Sequence, residues 1–130
     1  MENNAVDFSD FDFAAATRRV NNENRREKEK LDALRIKARE VGFELARELV
    51  AADPRIRRTW GFGSAFEDDR PFTRNSDIDL AIEGGNILRL FGIAENAEFP
   101  VDLIDITEQE DAFALLIREK GRLLYGFEST

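Results

Sequence analysis

The 130-residue chain contains no cysteine and no histidine, and only one methionine, one tryptophan, one tyrosine and three prolines. Without cysteine there is no disulfide framework and no thiolate metal site. Without histidine, zinc chemistry and imidazole acid–base catalysis are excluded as well, so a catalytic metal has carboxylates to rest on. No apolar run approaches the roughly 20 residues that a membrane span needs. The first residues, MENNAVDFSDFDF, are acidic and lack the basic-then-apolar order of a signal peptide. These features agree with cytoplasmic residence. Basic residues are in deficit, 19 Lys plus Arg against 27 Asp plus Glu, for a net charge of -8. Such a chain is poorly matched to a nucleic-acid backbone, whose neutralisation needs cations. A basic protein partner, or a small nucleotide carrying its own magnesium, fits better; the same charge also serves plain solubility.

What is present is globular. The hydrophobic fraction is 42%, and the length suits one domain with a real core. Met1 to Phe13, with Phe8, Phe11 and Phe13, has poor periodicity and reads as an arm. Ala14 to Ala52 reads as helix, with Asn21-Asn22 a possible interruption. From Glu23 it is rich in Glu, Lys, Arg, Leu and Ala, all good helix formers. Leu31, Leu34, Ala38, Val41, Leu45 and Leu49 form one apolar stripe at spacings of three and four. For Val41 to Val50, packing on the chain's own sheet is favoured over binding a partner. Asp53-Pro54 stops the helix, because the residue before proline resists helical dihedrals. The expected division is an arm and helix at 1–54, on or beside a core at 55–130.

Further along, Arg55 to Phe62 is a strand with Trp60 in the core, and Ser64 to Phe66 opens a helical turn. Ser76 to Ile82 is a second strand stopped by Gly84-Gly85. Asn86 caps a short helix to Ala97 whose inner face is Ile87, Leu90, Phe91 and Ala94. Val101 to Ile106 is a third strand. Thr107 with Glu110 reads as a capping box for a helix to Lys120, with Phe113, Leu116 and Ile117 inward. Arg122 to Tyr125 is a final edge strand.

The chemistry concentrates in TWGFGSAFEDDRPFTRNSDIDLAI, Thr59 to Ile82. Residues two apart on a strand share a face, roughly 7 Å apart. Asp77 and Asp79 therefore project together while Ile78 and Leu80 face a core. Two close carboxylates repel unless a cation lies between them, and oxygen ligands suit magnesium. Gly63-Ser64 forms a tight turn whose N–H groups make a seat for an anion such as phosphate. Asp-x-Asp alone is usually a turn, and Gly-Ser alone likewise; the two together, before an apolar run, point to a site.

With PVDLIDI downstream, this pattern resembles the minimal nucleotidyltransferases (MNT) of the DNA polymerase beta-type nucleotidyltransferase superfamily. The likeness runs from about Arg57 to Tyr125. It implies an α/β (α+β) fold: a small mixed sheet with helices packed on it, plus an N-terminal helical extension. It implies that Asp102 is the third carboxylate, on a strand beside Asp77 and Asp79, and that the three hold two magnesium ions. Asp105 falls on the opposite strand face. The resemblance further implies that Gly63 and Ser64 hold the phosphates of ATP, and that AMP passes to a hydroxyl acceptor. In that family the module is often an antitoxin that adenylylates a tyrosine of a HEPN-type toxin. The alternatives are a small-molecule nucleotidyltransferase of the antibiotic-modifying type and a catalytically silent binding module. One departure stands out. Family members commonly read Gly-Ser-Arg-Ala-Arg-Gly, where this chain reads Gly-Ser-Ala-Phe-Glu-Asp-Asp-Arg. Ala65 supplies no positive charge, Glu67, Asp68 and Asp69 add negative charge, and Arg70 or Arg74 is within reach to substitute.

Overall fold

The computed structural model describes residues 12–127. Apart from its last two residues, the expected N-terminal arm lies outside them. The first element, α1, runs unbroken over Phe13–Ala52. Asp12 caps it, its carboxylate accepting the N–H of Ala15 at 2.9 Å. The expected break at Asn21-Asn22 does not occur. Both asparagines are exposed, and Asn22 accepts a hydrogen bond from Arg25 one turn on, at 3.2 Å. A solvated side chain bonded along the helix does not compete with the backbone ladder. The chain divides into two compact units at Lys30/Leu31, inside α1. Residues 13–30 are the largely exposed, polar helix of the first unit.

The second unit holds the sheet. Its elements are β1 (Arg58–Phe62), β2 (Ile78–Glu83), α2 (Ile87–Glu95), β3 (Val101–Asp105), α3 (Ala112–Lys120) and β4 (Arg122–Tyr125). The strand order is β3-β2-β1-β4. β1 pairs antiparallel with both β2 and β4, and β2 pairs parallel with β3. The sheet is therefore mixed, and α2 is the crossover that a parallel pair requires.

Strand alternation assigns the two faces. Ile78, Leu80 and Ile82 join Leu103 in one core with Ala38, Val41, Leu45 and Leu49 of α1 and Leu90 and Ala94 of α2. Val41 to Val50 thus packs on the chain's own sheet. Each fully buried leucine of this kind contributes about 1.5–3 kcal/mol by leaving water. Trp60 and Ala81 face the other way, onto Ala114 and Ile117 of α3, with Ile106.

Three expectations are corrected. β1 begins at Arg58, because residues 53–56 form a turn in which Ile56 donates to the Asp53 carbonyl at 3.1 Å. α3 begins at Ala112 and is capped by Asp111, which accepts from the Ala114 N–H at 2.8 Å. The Thr107 hydroxyl is already engaged with the Gly84 N–H and Asp105, and Glu108 sits at φ 58, which no helical residue adopts. Finally, the inward faces are narrower than expected: Phe113 and Leu116 are exposed, with Ala114 and Ile117 the inner face of α3, and Phe91 of α2 is exposed, with Leu90 and Ala94 buried there.

Candidate active site

The alternation that sends Ile78 and Leu80 into the α1 core turns Asp79 to the α3 face. Parallel pairing places Asp79 and Asp102 as direct register partners. Asp77 stands just before the first residue of β2. The three carboxylates expected from the sequence are brought together unequally. Burial, then the charges of Asp102 and Asp77, push the Asp79 carboxyl up to about 6. Asp105 lies elsewhere, its carboxylate accepting from the Thr107 N–H at 2.8 Å.

The Gly63-Ser64 turn closes on the same group. Gly63 has φ 72, and a Cβ there would lie 2.0 Å from an Asp79 carboxylate oxygen. Only glycine permits both the dihedral and the approach. A single helical turn follows, with the N–H groups of Phe66 and Glu67 donating to the Gly63 carbonyl at 3.2 and 2.9 Å. Phe66 anchors it. Its ring lies against two glycines, Gly42 of α1 and Gly61 of β1, where any Cβ would come within 2.5–2.6 Å of ring carbons.

Two arginines of α1, neither singled out by the sequence, hold the loop from outside. Arg35 donates to the carbonyls of Ser64 at 2.9 Å and Glu67 at 2.8 Å, and to that of Arg70. Arg39 donates to the Ala65 carbonyl and pairs with Asp68, holding that carboxyl below its usual range. Their spacing of four, one helical turn, was the available signal. Glu67 was read only as unwanted charge, yet it is buried and accepts the Gly63 N–H at 2.6 Å. Arg70 lies 3.7 Å from the same carboxylate oxygen, and its charge also acts on Asp79. Arg70 is thus the cation of the site, while Arg74 sits in an exposed turn.

The donor chemistry here fits magnesium: oxygen ligands only, with a carboxylate that burial and two like charges hold partly protonated. Among the described residues, however, no three ligating side chains converge as a formed metal site. Asp79 and Asp102 are register partners, while Asp77 acts on Asp79 through its charge.

No family model matches the chain, and no curated protein does. Among solved structures it is similar to a toxin–antitoxin complex with AMP-PNP, at 24% identity over 66% of this chain and 74% of that one, with a TM-score of 0.52. The chain shares the α+β fold of that structure. An MntA-HpeT toxin–antitoxin mutant, at 22% identity over 66% of this chain and 74% of that one, gives a TM-score of 0.49. The MntA-HepT toxin–antitoxin gives 0.46, at 21% over 68% and 73%. In this fold the acidic strand edge and the Gly-Ser turn meet at one end of the sheet, on the α3 face.

A pH dependence follows from Asp79. Its folded value of about 6 lies above the ordinary unfolded value near 4. The stability linked to its protonation is therefore fully present below about pH 4 and lost as pH rises through about 6. Asp79→Asn removes that loss. In chelator, the variant should gain about 1 kcal/mol on the wild type between pH 4 and pH 8, allowing for half-exposure of the group. Urea unfolding at the two pH values reads this, and a pH-independent difference would count against the raised Asp79 carboxyl.

Proposed function

We propose that this chain is a magnesium-dependent nucleotidyltransferase that moves AMP from ATP to a hydroxyl of a protein partner. The observation that carries this reading is the meeting of Asp79 with Asp102 across β2 and β3, with the Gly63 turn against Asp79. Residues 55–130 form the catalytic core in this reading, with the helix before them as its support. Asp77, Asp79 and Asp102 would hold magnesium, which would neutralise the triphosphate and stabilise charge at the attacked phosphorus. Gly63 and Ser64 orient the phosphates, and Arg70 offers charge beside them. Asp102, the most exposed of the three, faces the acceptor and takes its proton as the hydroxyl oxygen bonds to the α-phosphorus and pyrophosphate leaves. The rest of catalysis is positioning and charge neutralisation, since phosphoryl transfer asks little covalent work of the protein.

The acceptor we assign is a tyrosine of a HEPN-type toxin, which would make this chain an antitoxin. The toxin–antitoxin complex with AMP-PNP that shares the fold supports this, as does the acidic balance of the chain. A second reading, a silent binding module, draws on the Glu67 carboxylate that already sits on the Gly63 N–H. Intact-mass spectrometry separates the two. The enzyme reading expects the partner to gain one or more AMP units with ATP and magnesium, and to stay inactive after this chain is removed. An unshifted mass, with neutralisation that reverses on separation, would leave the binding module.

A further inference from the structure

We infer that Glu67 is a built-in occupant of the phosphate seat and sets how tightly this chain holds a polyphosphate. The inference rests on the nucleotidyltransferase reading of the same turn. A phosphate at a Gly-Ser turn needs a free backbone N–H and a nearby cation. Here both converge on one oxygen of Glu67: the Gly63 N–H at 2.6 Å and the Arg70 guanidinium at 3.7 Å. The bond to Gly63 is in the charge-assisted range. The Glu67 side chain is 8% exposed, so this oxygen is a settled partner and not a passing surface contact.

The backbone of Glu67 cannot carry its side chain away. Its N–H is bonded to the Gly63 carbonyl and its own carbonyl to Arg35. Release is by side-chain rotation alone. Glu67 and Arg70 also line a cleft of about 50 Å³ with Phe62, Phe113 and Leu116, so the seat opens to solvent on the α3 face. An incoming phosphate thus competes with an internal carboxylate for the N–H and for Arg70. Where the resembling family commonly places arginine after the turn, this chain places a competitor.

Calorimetry of the full chain with inorganic tripolyphosphate and magnesium tests this. Glu67→Gln keeps an acceptor on the Gly63 N–H but loses the charge; Glu67→Ala empties the seat. Both should bind tripolyphosphate about tenfold or more tighter than the wild type, because a charge-assisted bond no longer has to be broken. Adding Arg70→Ala to Glu67→Ala should return most of the gain. A merely structural Glu67 would give variants with lower melting temperatures and no gain in affinity. Variants that keep the wild-type circular dichroism and bind no tighter overturn the inference, and if Glu67→Ala does not fold, Glu67→Gln decides. AMP transfer by the wild type is scored separately. Transfer without any gain in the variants rejects the competitor role alone. A gain in the variants with no transfer by any protein rejects the enzyme reading and keeps the seat.

Discussion

Asparagine in place of Asp102 is expected to slow AMP transfer by about a hundredfold to ten-thousandfold, the usual worth of a positioned proton acceptor. Asparagine has the shape of aspartate, so the fold and most of the ATP affinity should survive. Asp79→Asn should abolish transfer and weaken magnesium-dependent ATP binding too, since Asp79 lies against both Asp102 and the Gly63 turn. Asp105→Asn is the internal control. Its carboxylate serves the Thr107 N–H beyond β3, three residues from Asp102 and on the other face. It should keep transfer within a few-fold of wild type, by the same mass assay of the partner. Loss of transfer in Asp105→Asn with normal transfer in Asp102→Asn would overturn the assignment of the third carboxylate.

The parts legible in the sequence were those set by short-range pattern. Asp-Ile-Asp-Leu-Ala-Ile fixes which residues of β2 face which way, because a strand has a period of two. Asn86 caps α2 as its position indicated, accepting the Leu88 N–H at 3.1 Å. The register of Asp79 on Asp102 came from a resemblance, and the parallel pairing of β2 and β3 supplies its physical form. What failed to show were contacts between distant segments. Thr107-x-x-Glu110 has the letters of a capping box, but the Thr107 hydroxyl is taken by Gly84, 23 residues back. Nothing near Arg35 and Arg39 in sequence marks them, because their partners, the carbonyls of the turn, lie 26 to 35 residues on. Gly42 and Gly61 are 19 residues apart, and only the Phe66 ring packed against both gives them a shared role.

Glu83 is the extreme case of such a residue, and removing it carries the largest expected loss of stability. By sequence it is the last polar letter before Gly84-Gly85. In the fold it is 2% exposed and accepts from three side chains. Trp60 donates its indole N–H at 3.1 Å, Arg58 approaches to 2.5 Å, and Arg118 donates at 2.9 Å. Arg58 is its register partner on β1, and Arg118 comes from α3. The carboxylate therefore ties β1, β2 and α3 together. Glu83→Ala leaves a buried indole N–H without an acceptor and two largely buried guanidinium groups without their anion. Breaking a buried pair from one side costs about 3–5 kcal/mol. The lower end, about 3 kcal/mol, is expected here, because Arg118 keeps the carbonyls of Ile106 and Gln109. Glu83→Gln retains one acceptor oxygen and should lose less, about 1–2 kcal/mol. Glu83 lies four residues along β2 from Asp79, roughly 13 Å away, so transfer per folded molecule should be unchanged in both variants. Urea unfolding gives the stabilities. A loss under about 1 kcal/mol in Glu83→Ala would mean that the two arginines re-solvate freely and that the network contributes little to holding α3 on the sheet.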